Sequence, residues 1–107
     1  MEHLKWSESE KRLSRRLYEA ALEAELAEVI AEFKSKSAAV RTPEDMWALE
    51  SYLAQQRREI QRKYDYRNYS QLLFVFGRLV REGRVQIEQL QGFSEEKLSC
   101  IERIVSV

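Results

Sequence analysis

From Ser7 to about Lys36 the sequence keeps one helical pattern without a break. It carries two apolar stripes there, where a surface helix needs one. Tyr18, Leu22, Leu26, Val29, Ile30 and Phe33 make a face of large residues. Leu13, Leu17, Ala20, Ala24, Ala27 and Ala31 make a second face, mostly of small ones. Apolar side chains on two sides of a helix ask for cover on two sides. A chain of 107 residues is one ordinary domain and offers few elements to supply it. A partner chain is the natural source; the alternative is that the alanines serve only as good helix formers. In both cases Ser7 and Glu10 start the helix as a capping box, in which hydroxyl and carboxylate each accept an orphan amide.

The pattern breaks at Ser37 to Arg41, and Thr42-Pro43-Glu44-Asp45 starts a second helix. Thr42 caps, Pro43 fits the first turn, and two acids sit at the positive end of the dipole. Met46, Leu49, Leu53 and Ile60 follow as a coiled-coil-like seam, with Gln56 filling the gap. The chain thus opens with two long helices, expected to be antiparallel. Tyr64 to Tyr69 interrupts them. Leu72, Phe76, Leu79 and Val80 then share a face of a third helix, and Gly83 closes it. Val85, Ile87 and Leu90 make a short turn, and Ser94 caps a last helix with Leu98, Ile101, Ile104 and Val105 inward. The expected fold is all-α: a single domain over residues 1–107, with a long-helix stalk over about 7–63 and a compact helical head over about 64–107.

Chemistry is sparse. Lys and Arg number 18 and Asp and Glu number 18, so the net charge is zero and a globally basic nucleic-acid binder is not indicated. His3 is the one histidine and reads as a tolerated polar residue near the terminus. Cys100 is the one cysteine: no intrachain disulfide can form, a reducing cytoplasmic setting is indicated, and the residue reads as a small buried hydrophobe. No metal-ligand spacing, phosphate loop or nucleophile–base set occurs, and the acids read as spread over solvated helix faces. No apolar run is long enough to span a bilayer. The expectation is a binding protein with no enzyme chemistry and no cofactor.

Two features point to binding. Trp47 lies about a third of a turn off the seam. Ser51, Ala54, Arg58 and Gln61 share its side, with Glu50 and Arg57 on the flank. An aromatic near arginine has the composition of an interface hot spot; the other reading packs Trp47 against the first helix or a dimer mate. The second feature is Arg57, Arg58, Arg62, Lys63 and Arg67 interleaved with Tyr64, Tyr66 and Tyr69. That mixture can grip nucleic acid, although Glu59 and Asp65 interrupt it, and the plainer reading is a solvated helix end with tyrosines anchoring the head.

Arg58-Glu59-Ile60 and Lys63-Tyr64-Asp65-Tyr66-Arg67 carry a resemblance, which continues through Phe74-Val75-Phe76, Leu79, Glu82-Gly83, Leu90, Lys97 and Ile101. From about Trp6 to its end the chain resembles the fluorescence recovery proteins, cyanobacterial regulators that switch off photoprotection by the orange carotenoid protein. The resemblance implies a helical homodimer, with tetramers left open. It implies a partner, the photoactivated carotenoid protein, held through its C-terminal domain. It also implies a place in the cytoplasm, with the thylakoid periphery as an option. The family's surface on the second helix runs Trp, Leu, His-Asp, Leu, Arg. Trp47, Leu49, Leu53 and Arg57 match it; Glu50 and Ser51 stand at the His-Asp positions. By this resemblance Trp47, Glu50, Ser51 and Arg57 bind the partner, and Met46, Leu49, Leu53 and Ile60 hold the dimer. An adaptor of the same family for an unrelated partner is the alternative.

Overall fold

The computed structural model describes residues Leu4 to Val107; His3 lies outside the described residues. Among the described residues there are four α-helices: α1 (Glu8–Ala38), α2 (Pro43–Lys63), α3 (Tyr69–Arg81) and α4 (Glu95–Val105). A 3₁₀ turn at Ile87–Leu90 precedes α4, and no strand occurs among the described residues. Every α-helix begins on a side-chain cap. Ser7 Oγ accepts the Glu10 N–H at 3.1 Å while Glu10 Oε1 accepts the Ser7 N–H at 2.9 Å. Thr42 and Asp45 repeat this exchange at α2. Asp45 also accepts the Arg41 N–H, which with the Thr42 contacts holds its carboxyl below the usual value. Asn68, which the sequence reading passed over, caps α3, and Ser94 caps α4. Gly83, at φ 78°, ends α3: its N–H reaches Val80 O and the Arg84 N–H reaches Leu79 O. That left-handed stop suits glycine because it has no Cβ.

The described residues form two compact units. One joins α1 through Ala21 to Asp65–Val107; the other is Leu22–Tyr64. The first unit contains the core. Leu73, Phe76, Leu79, Leu90 and Ile101 are fully buried, with Leu72, Val75, Val85, Phe93 and Cys100 nearly so. Val80, Leu98, Ile104 and Val105 are half-buried. Gly77 lets α4 approach α3 closely, since a Cβ there would lie 2.3 Å from Ile104 Cγ2. Aromatic rings meet ahead of α1, tilted or edge-on: Trp6 lies 5.0 Å from Tyr69 and 5.3 Å from Phe93, and Phe93 lies 5.7 Å from Phe76. The buried stripe of α1 here is Glu10, Ser14, Leu17 and Ala21, whereas Ala20 is exposed.

Glu10 corrects the expectation that every acid sits on a solvated face. Its carboxylate completes the cap of α1, accepts the Ser94 N–H at 2.8 Å and meets Lys97 Nζ at 3.2 Å. Lys97 Nζ also donates to Lys5 O and lies 4.9 Å from the Trp6 ring centroid. A cap glutamate ordinarily serves its own helix. α4 carries Lys97 at that place, so Glu10 provides the acceptor for α4 as well. Burying both charges is tolerated because each is paired and hydrogen-bonded.

The second unit is a helical hairpin. Lys36 Nζ lies 5.0 Å over the Tyr52 ring, and Glu25 meets Lys63. Stepping back along α1 from 36 to 25 matches stepping forward along α2 from 52 to 63, so the two helices run antiparallel. Leu22 and Val29 of α1, and Leu49, Tyr52, Leu53 and Ile60 of α2, are half-buried. Leu26, Ile30, Phe33, Met46 and Trp47 are exposed, as are Ala24, Ala27 and Ala31. Apart from Tyr64, this unit buries no apolar side chain completely.

Candidate functional site

The residues that the resemblance marks for binding all stand on α2. Two local features make this segment a firm helix: the Thr42–Asp45 capping box with Pro43 in the first turn, and a C-terminal turn in which the Tyr64 N–H reaches Ile60 O. Acids in its first turn and Arg62 and Lys63 in its last turn complement the helix dipole. A rise of about 1.5 Å per residue puts Arg57 about 15 Å along the axis from Trp47.

Trp47 is 58% exposed, a large fraction for an indole, and Glu50, Ser51 and Arg57 are exposed with it. At about 100° per residue, Trp47 and Ser51 share one side. Glu50 and Arg57 fall nearer to Met46 and Leu53. The two sets therefore merge into one continuous surface. Met46 is itself 47% exposed, while Leu49, Leu53 and Ile60 turn partly toward the hairpin interior. On α1, Leu26, Ile30 and Phe33 add a second exposed apolar row, with Ile30 at 54%. Leu26, Ile30, Phe33, Met46 and Trp47 thus stay exposed within one small unit, and exposed large apolar groups of this kind are what partners cover.

The basic–aromatic patch does not survive as a single feature. Arg57, Arg58 and Arg62 are exposed. Lys63 and Tyr64 are buried, with Lys63 Nζ against Glu25 Oε2 at 2.5 Å and Tyr64 OH donating to Glu25 Oε1 at 2.8 Å. In the other unit, Tyr66 packs edge-on against Tyr18 and Tyr69 lies against Trp6. Burial, with Asp65 and Tyr66 beside it, pushes the Tyr18 phenol up. Tyr64 is buried and Tyr69 half-buried, while Tyr66 stays exposed beside Tyr18. Glu25 is the residue that sequence reading missed. Its only signal was a polar position among the large residues of α1, between Leu22 and Val29.

Cys100 is buried in α4. Among the described residues no group of three or more histidine, cysteine or carboxylate side chains is placed to hold a metal, and no helix is long and apolar enough to cross a membrane. The arrangement offers surfaces for association.

Comparison with known proteins agrees in sequence and in fold. Residues 6–105 match the family described as photoprotection regulator fluorescence recovery protein. The chain is 33% identical over 99 residues to the fluorescence recovery protein of Synechocystis sp., covering 92% of this chain and 90% of that one. The solved structure of the Fremyella diplosiphon fluorescence recovery protein superposes with a TM-score of 0.88 at 32% identity, over 96% of this chain and 100% of that chain. The Synechocystis structure gives the same TM-score, identity and coverage.

Proposed function

Because this chain belongs to the fluorescence recovery protein family of photoprotection regulators, we propose that it binds the photoactivated orange carotenoid protein and speeds its return to the resting orange form. The acting species is a homodimer, formed over Met46, Leu49, Leu53 and Ile60 with the exposed apolar row of α1. The contact is to the C-terminal domain of the carotenoid protein, through Trp47 as apolar anchor and Arg57 as charged contact. Glu50 and Ser51 form the rim. Detachment from the phycobilisome and the end of non-photochemical quenching follow, in the cytoplasm or at the thylakoid periphery.

No bond changes in this process. Acceleration requires that the dimer bind the route back to the compact partner more tightly than it binds the separated-domain state. The observation that carries the reading is the exposure of Trp47 on α2 beside Met46, which is exposed with it. Glu50 and Ser51 favour one second reading, an adaptor of the same fold for an unrelated partner. They remove an imidazole and move the acid by one residue, about 100° around the helix.

The test is optical. A carotenoid protein is converted to its red form, this protein is added in the dark, and the return of the orange spectrum is followed. Recovery accelerated at substoichiometric dimer, and reduced by Trp47→Ala with the dimer intact, is the expected result. A folded dimer that leaves recovery of several carotenoid proteins unchanged moves the assignment to the adaptor.

A further inference from the structure

The hairpin of Leu22–Tyr64 is closed at one end by the chain itself, since only residues 39–42 separate α1 from α2. Between the ends, its half-buried side chains are aliphatic and aromatic apart from Gln56, and the attraction of apolar groups is non-directional. At the other end stands a directional contact. Glu25 offers one carboxylate oxygen to Lys63 Nζ and the other to Tyr64 OH. The Glu25 and Lys63 side chains are only 12% and 8% exposed.

We propose that Glu25, Lys63 and Tyr64 form a latch that fixes the rotation of α2 against α1, making Glu25 the positioning residue of the exposed association face. Lys63 is the last residue of α2 and Tyr64 its C-cap. Consecutive residues project about 100° apart. Both reach one carboxylate only when the end of α2 holds a single rotation. The set of exposed apolar residues in this unit comprises Leu26, Ile30 and Phe33 on α1 and Met46 and Trp47 on α2. Their arrangement therefore depends on the rotation that the latch sets. Stability alone does not account for a buried ion pair, because well-packed apolar residues of similar size commonly serve as well. Direction is what such residues lack.

The functional half of this inference rests on the reading given above; the geometric half stands without it. The informative variant is Glu25→Leu/Lys63→Met, which replaces the pair by apolar groups of similar volume. Its thermal midpoint should stay within a few degrees of wild type. Amide exchange in the last two turns of α2 should accelerate about tenfold, and self-association should weaken about tenfold in sedimentation. Tyr64→Phe removes one hydroxyl and leaves the charge pair, and should shift the same two readouts about threefold. A double variant that is as stable as wild type, with unchanged exchange and association, overturns the latch. If the double variant does not fold, Tyr64→Phe decides: a threefold shift supports the latch and wild-type behaviour overturns it. Wild-type protein that leaves carotenoid recovery unchanged, beside exchange data that follow the latch, sinks the functional reading and supports the latch.

Discussion

Each unit contains one buried glutamate–lysine pair, and the surroundings of the two pairs are opposite. Glu10 and Lys97 belong to the unit that buries Phe76, Leu73 and Ile101 completely, and the pair ties together elements that already share a core. Glu25 and Lys63 sit in a hairpin whose apolar side chains are at best half-covered, Tyr64 aside. The same chemical device thus supplements packing in one unit and substitutes for it in the other. The first unit buries most of its large apolar groups, although Phe74, Tyr66 and Val107 stay exposed. A two-helix unit that leaves Ile30, Met46 and Trp47 in water gains from company.

The largest effect that tests this contrast is Phe76→Ala. It removes a fully buried ring and should cost about 3–5 kcal/mol in denaturant unfolding. A loss no greater than that from Phe33→Ala would erase the distinction between the units. Gly77→Ala comes next. The new Cβ would lie 2.3 Å from Ile104 Cγ2 and 2.9 Å from its Cβ, too close unless α4 shifts, for an expected loss of about 1–3 kcal/mol. A neutral result would mean that α3 and α4 are free to separate.

Acid sharpens the comparison further. Burial alone pushes the Glu10 carboxyl up, but hydrogen bonds from the Ser7 and Ser94 N–H groups and from Lys97 outweigh it and hold the carboxyl below the usual value. The unfolded chain therefore binds the proton more readily. Stability contributed by Glu10 is present above the ordinary glutamate range and is lost as the pH falls through the lower folded value. Unfolding midpoints measured downward from about pH 6 should fall in wild type and fall less steeply in Glu10→Gln. Parallel curves would assign the acid sensitivity to other groups. The smallest effect on stability belongs to Ile30→Ser, expected within about 0.5 kcal/mol at nanomolar concentration. Its signature is weaker self-association in sedimentation, and unchanged association would remove the α1 row from the proposed dimer face.

The helices were legible because their signals are local. Ser7, Thr42 and Ser94 announce caps, and Gly83 announces a stop, all within four residues of what they serve. The exposed Trp47 was legible for a related reason: its angle from the seam follows from helical periodicity alone. Glu10 was legible only as the cap of α1, because its second duty depends on Ser94 and Lys97, which no local pattern connects to it. Glu25 was hidden in the same way. Lys63 and Tyr64 stood out within the stretch carrying the family resemblance, but the carboxylate that gives them their place lies on the preceding helix. Periodicity assigns a side to a residue; it does not say which charge waits on that side.

The contact between Glu10 and the Ser94 N–H spans 84 residues of chain. During synthesis α1 leaves the ribosome early but must wait, its capping glutamate half-employed, until residues 94 and 97 emerge. The hairpin of α1 and α2 closes over a much shorter loop and can form while the rest is still being translated. Closing so long a loop costs entropy that only the completed core returns. The emerging chain therefore holds the exposed apolar residues of the hairpin in water before the first unit has closed its core.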